Sequence, residues 1–96
     1  MNQTEVKAMT ICINDKILND DNIKAQHLYT FLQLAQIAED YIAVFTLREL
    51  MELVKCKDKE TVIKYLAVLV DNGYIEKLEP TNRKSTYKLN KKFFYK

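Results

Sequence analysis

The stretch TLRELMELVKCKDKETVIKYLAVLVDNGYIEK, Thr46 to Lys77, decides the fold. Glu49 follows Thr46 by three residues, the spacing at which a hydroxyl and a carboxylate cap a helix start reciprocally. From Leu47 to about Val54 the apolar residues Leu47, Leu50, Met51 and Val54 recur at helical steps and form one buried stripe. Lys55-Cys56-Lys57 interrupts the pattern. Asp58 then caps a second helix that runs to about Asn72, with Val62, Leu66 and Leu69 on its core face. Gly73 is the only glycine of the chain and falls where a helix ends in the left-handed conformation. So short a join forces a sharp crossing and leaves the second helix protruding.

Downstream, Tyr74 to Glu79 reads as a strand. Pro80-Thr81-Asn82-Arg83-Lys84 reads as a turn, and Ser85 to Leu89 as the return strand. The end, Lys91-Lys92-Phe93-Phe94-Tyr95-Lys96, is basic and aromatic, suited either to packing back on the core or to a homodimer contact. Upstream, the apolar run Tyr41 to Phe45 suits a brief buried strand. Before it, Ile23, Leu28, Phe31, Leu32, Ala35 and Ile37 mark a helix from about Ile23 to Ala38, with Asp21 or Asn22 as its cap. His27, the only histidine, belongs near the surface of that helix. Residues 6–13, VKAMTICI, read as an N-terminal strand, and Lys16-Ile17-Leu18 as one short turn.

The bulk numbers bound the class. Ninety-six residues make one domain, 1–96, with its core over about 16–90 and tails at 1–5 and 91–96. With 48% apolar residues the chain buries a core without disulfides or metal. A single Gly and a single Pro argue against both an all-β chain and disorder. The net charge of +2 hides an asymmetry: residues 1–50 hold four bases and seven acids, −3, whereas residues 51–96 hold eleven bases and six acids, +5. A basic half is the electrostatic footprint of a nucleic-acid binder, because phosphate neutralisation releases counterions. Cys12 and Cys56 read as reduced thiols. No secretory core segment and no run of about 18 apolar residues is present, so a cytoplasmic location is expected, with no membrane partner.

Together, Thr46–Lys77 and the following NRKSTYKL, Asn82–Leu89, resemble the winged helix-turn-helix pattern. Leu69-Val70-Asp71-Asn72-Gly73-Tyr74-Ile75 is similar to that family's passage from the recognition helix into the wing. The segment ILNDDNIKAQHLYTFLQLA, Ile17–Ala35, resembles the first helix of winged-helix modules in bacterial regulators and in plasmid and phage replication initiators. The resemblance covers roughly residues 16–90. It implies an α+β, mostly α fold: a winged helix-turn-helix with an N-terminal strand and a two-stranded C-terminal wing. It also implies a small transcriptional regulator or replication-associated module. Such a module binds double-stranded DNA through a recognition helix at about 58–72 and a basic wing at about 74–90.

Carried over residue by residue, the recognition helix offers Lys57, Lys59, Thr61, Lys64 and Tyr65 to phosphates or base edges. The wing offers Asn82, Arg83 and Lys84 at its tip, with Lys88 extending the basic surface. The helix departs from the pattern in two ways. It has Asp58 and Glu60 at its start, and no Arg, Asn or Gln before Asn72, so the side chains suited to bidentate base reading are missing. Ile63, Ala67 and Val70 lie off its core stripe and, with Phe93, Phe94 and Tyr95, form a possible partner surface. The alternative function is therefore a protein-interaction module that docks on a partner or its own copy.

No chemistry of an enzyme is legible. The single glycine gives no phosphate loop, and two distant Cys with one His give no four-ligand zinc site. No nucleophile–base arrangement is suggested. We expect no cofactor, no metal and no small-molecule substrate.

Overall fold

A computed structural model describes residue 17 and residues 19–94. The strand expected over 6–13, Cys12 and Tyr95 lie outside the described residues. Among the described residues, three helices and one three-stranded antiparallel sheet make a small α+β unit. Their order is α1 (Ala25–Ile37), β1 (Ile42–Phe45), α2 (Leu47–Leu53), α3 (Lys59–Asp71), β2 (Ile75–Thr81), β3 (Lys84–Leu89) and a 3-10 turn (Lys91–Phe93). None of the described helices is long and apolar enough to cross a membrane.

α1 begins two residues later than the pattern predicts, and its cap differs. Nδ1 of His27 accepts the Lys24 backbone N–H at 3.0 Å. The expected cap at Asp21 or Asn22 fails because the first helical residue is Ala25, which makes Lys24 the N-cap and leaves Asp21 and Asn22 too far upstream. Asp20 accepts the Asn22 N–H through one oxygen and the Tyr74 hydroxyl through the other. The second bond spans 54 residues and pins the start of the described chain to the entrance of β2.

The capping box of α2 is present in both halves: Thr46 Oγ1 accepts the Glu49 N–H at 3.1 Å, and Glu49 Oε1 accepts the Thr46 N–H at 2.8 Å. α2 ends when Lys55 enters the left-handed region at φ 59. The Cys56 N–H then reaches the Met51 carbonyl at 3.0 Å and the Lys55 N–H the Glu52 carbonyl at 3.3 Å, which closes a Schellman motif. α3 closes in the same manner at Gly73, φ 81, with Tyr74 N–H to Leu69 carbonyl at 2.9 Å and Gly73 N–H to Val70 carbonyl at 3.0 Å.

The sheet order is β1-β3-β2, so the last strand lies between the other two. The short strand expected over 41–45 is thus an edge of the same sheet as the hairpin. Lys77 stands opposite Tyr87, and Tyr87 opposite Ala43. Opposed residues share a face, so Ala43, Phe45, Lys77, Tyr87 and Leu89 face the helices while Ile42, Val44, Glu76 and Lys88 face away. Ala43, Phe45 and Leu89 join Phe31 and Leu34 of α1, Leu50 of α2, and Val62 and Leu69 of α3 in one buried core. Each of these side chains larger than Ala43 contributes roughly 1.5–3 kcal/mol by leaving water.

The turn of the hairpin is tighter than the sequence suggests. β2 runs through Pro80 to Thr81, and only Asn82 and Arg83 form the loop, both at positive φ, 51 and 68. That is the signature of a type I′ turn. Pro80 is tolerated because β2 is an edge strand and its register shifts between Leu78 and Thr81.

Residues 91–94 are not a tail. Asn90 Oδ1 accepts the Lys92 N–H at 3.1 Å and starts the 3-10 turn, which delivers Phe93 onto Tyr74 with ring centroids 4.3 Å apart. Phe94 lies 5.4 Å from both Phe31 and Tyr41. Phe93 is buried and Phe94 half-buried, so the partner surface expected at these two residues is replaced by internal packing.

Gly73 meets no atom within 4 Å of where a Cβ would stand. The cost of a side chain there is therefore conformational. Gly73→Ala should lower unfolding stability by about 1 kcal/mol with an unchanged denaturant slope. Urea titration followed by circular dichroism measures both.

Candidate nucleic-acid interface

The candidate basic side chains fall on three neighbouring features. One is the corner between α2 and α3. Arg48, Met51 and Glu52 on α2 and Lys55, Cys56 and Lys57 after it line a concavity with three cations at its rim. Lys57 was anticipated here; Arg48 and Lys55 were not. Residue spacing carries no signal for the pair, because Lys55 lies past the end of α2 in the left-handed region. Cys56 is a free thiol, half-buried, with its Sγ 3.6 Å from the Asp58 carbonyl oxygen.

The second feature is α3. Lys59 and Lys64 are exposed. Thr61 is committed elsewhere: its hydroxyl donates to Asp58 Oδ2 at 2.7 Å, while Asp58 Oδ1 accepts the Glu60 N–H at 3.2 Å. These bonds, the Thr61 hydroxyl first, hold the Asp58 carboxyl below its usual range. Tyr65 is half-buried and receives His27 edge-on, with centroids 5.6 Å apart and planes at 86°. Asn72 donates its side-chain amide to the Val68 carbonyl at 2.8 Å. Of the polar α3 side chains expected to meet DNA, the two lysines remain open to solvent.

The third feature is the hairpin tip. Asn82, Arg83 and Lys84 are all exposed. Lys84 lies 3.9 Å from Glu49 in a solvated ion pair, which aligns the tip with the N-terminal end of α2. The Glu49 carboxyl is held below its usual range, first by the Thr46 N–H and more weakly by Lys84. Among the described residues, Arg83, Lys57 and Lys59 have no carboxylate in ion-pair contact, whereas Lys64 acts through space on Asp58.

Lys88 is separated from this set. It is opposite Glu76 on the sheet face that points away from α3. Lys77, one residue out of phase with Glu76, faces α3 instead. With Tyr87 and Ser85 it lines a groove whose other wall is Ile63, Ala67 and Val70 of α3. Ile63 is 46% exposed and Val70 37%, although both are large and apolar.

Comparison with models of known protein families, with curated protein sequences and with solved structures returned no match.

His27 links α1 to the second feature, since it caps α1 and touches Tyr65 of α3. Burial holds its pKa below the ordinary 6.5, and Lys24 adds to the effect. Protonation would place a hydrogen on Nδ1 against the Lys24 N–H. A depressed pKa in the folded state means the unfolded chain takes up the proton first. Stability should therefore be level above about pH 6.5, fall as pH drops from 6.5 towards the depressed value, and level off below it. Denaturant melts at pH 7.5, 6.5 and 5.5 check this. His27→Gln retains a capping acceptor and should flatten the profile over that interval.

Proposed function

We propose that this chain is a winged helix-turn-helix domain that binds double-stranded DNA, as a small transcriptional regulator or a replication-associated module. The order helix, strand, helix, helix, strand, strand supports the fold reading, as does a sheet in which the last strand pairs with the first. On this reading α3 is the recognition helix and the β2–β3 hairpin is the wing.

The observation that carries the reading is Arg83. It occupies the tip of a two-residue turn, exposed, with no ion-pair partner among the described residues. Its φ of 68 is a conformation glycine adopts without cost and an L-residue pays for by roughly 1–2 kcal/mol. A guanidinium held there is shaped to enter a minor groove or clamp a phosphate. Lys57, Lys59 and Lys64 supply further phosphate contacts, and Arg48 and Lys55 extend the same rim. Base reading by α3 is slight, because its Thr61 and Asn72 groups are bonded within the protein. Backbone and wing contacts then dominate, so binding depends more on groove shape than on sequence.

The exposed Ile63 and Val70 favour the second reading, a protein-interaction module on the same scaffold. The two differ in salt response. Fluorescence anisotropy on random duplex DNA over a salt series should show log affinity falling linearly with log salt. Arg83→Ala and Lys57→Ala should each weaken binding and each reduce the slope by about 0.9. Arg83→Gly should lose affinity in the same way yet gain about 1 kcal/mol of stability, separating function from folding. Absence of binding at low salt overturns the DNA reading in favour of the second.

A further inference from the structure

The apolar stripe Ile63–Ala67–Val70 runs along α3 at four- and three-residue steps, the spacing of a helix-pairing seam. All three residues are exposed, and the groove beside them is floored by Tyr87 and Leu66. Lys64 and Asp71 lie on one margin of this stripe, two helical turns apart and both exposed.

We propose that α3 pairs with α3 of a second copy, antiparallel about a two-fold axis at Ala67. The charges select this occupant and this orientation. In an antiparallel pair centred between positions 67 and 68, position 64 of one copy is level with position 71 of the other. Lys64 therefore meets Asp71 of the second copy, and the two-fold generates the same pair again. In a parallel pair the two-fold runs along the helices and sends Lys64 and Asp71 of the second copy to the opposite margin, so the two charges do not meet. The apolar positions fit the same arrangement. Val70 of one copy falls between Ile63 and Ala67 of the other, and the small Ala67 side chains meet at the axis, where a larger residue would hold the helices apart. Within its own helix Asp71 cannot reach Lys64, since two turns separate them by about 10 Å.

This pairing covers the face of α3 that the DNA reading would place in the major groove. Self-association and groove insertion then exclude one another. The dimer itself is independent of that reading, so it is tested on the protein alone.

Sedimentation equilibrium of the full chain in the absence of DNA, over a concentration series, should show a reversible dimer. Ala67→Glu brings two carboxylates to the axis and should weaken association by at least about tenfold. Ala67 is exposed, so the variant should retain the circular dichroism and melting of the parent. Lys64→Asp alone opposes carboxylates across the seam and should also weaken the dimer, whereas the double exchange Lys64→Asp/Asp71→Lys should restore it. That rescue is specific to the antiparallel register. A parent that stays monomeric at the highest concentrations overturns the proposal. So does a dimer indifferent to Ala67→Glu, or a double exchange no better than the single one.

Discussion

Lys55 and Asp58 stand three residues apart, and the corner they make sets the rest of the molecule. Lys55 turns the chain out of α2 through a left-handed residue, and the Asp58 carboxylate starts α3 by binding the Glu60 N–H and the Thr61 hydroxyl. Nothing longer than this corner joins the helices, so α3 must cross α2 at once and bury Val62, Leu66 and Leu69. The direction of α3 then aims its C-terminal end at the sheet. There the Schellman closure at Gly73 hands the chain to β2, and the bond from Tyr74 to Asp20 fixes that entry against the start of the described chain.

Parity in the sheet decides which charges share a surface. Successive residues of a strand face opposite ways, so a single step of register exchanges the two faces. β3 lies between β1 and β2 in a register that puts Tyr87 and Leu89 inward and Lys88 outward. Lys88 is thereby withdrawn from α3 and set beside Glu76, while Lys77 is brought to the groove next to Val70. The positive half of the chain is thus no uniform patch. Its members at the α2–α3 corner and on α3 are joined by a local turn, and the Lys84–Glu49 contact sets the hairpin tip by the start of α2. The rest are dispersed.

What was legible in the sequence was local chemistry. Thr46 with Glu49, Asp58 and Gly73 each satisfy backbone groups within a few residues, so their spacing alone announces the helix ends. The cap of α1 was not legible, because the helix starts two residues later than its apolar pattern and the side-chain acceptor is His27, inside the helix, in place of Asp21 or Asn22. Pro80 disguised the length of β2: a proline ends most strands, but this one is on an edge beside a register shift. The packing of Phe93 and Phe94 depends on Phe31, Tyr41 and Tyr74, three residues from three parts of the chain. Within the candidate interface, exposure of the lysines could be anticipated. The engagement of Thr61 by its own cap and the reversal of Lys88 depend on geometry that residue types do not carry.

The single glycine has a further consequence. Six described positions are left-handed, and five of them hold Asp40, Tyr41, Lys55, Asn82 and Arg83. Strain at any one of these is therefore a general habit of this chain and does not alone mark a site. What sets Lys55 and Arg83 apart is the combination of that strain with exposure and positive charge at two turns flanking α3. Tyr41, by contrast, earns its conformation through packing on Phe94. Asn is the ordinary L-residue for such a turn and needs no special cause. At Lys55 and Arg83 the cost is offset locally, by the Schellman bonds that close α2 and by the two-residue turn that lets β2 pair with β3. Both turns leave a cation exposed as a by-product of joining elements with L-residues where a glycine is the usual choice.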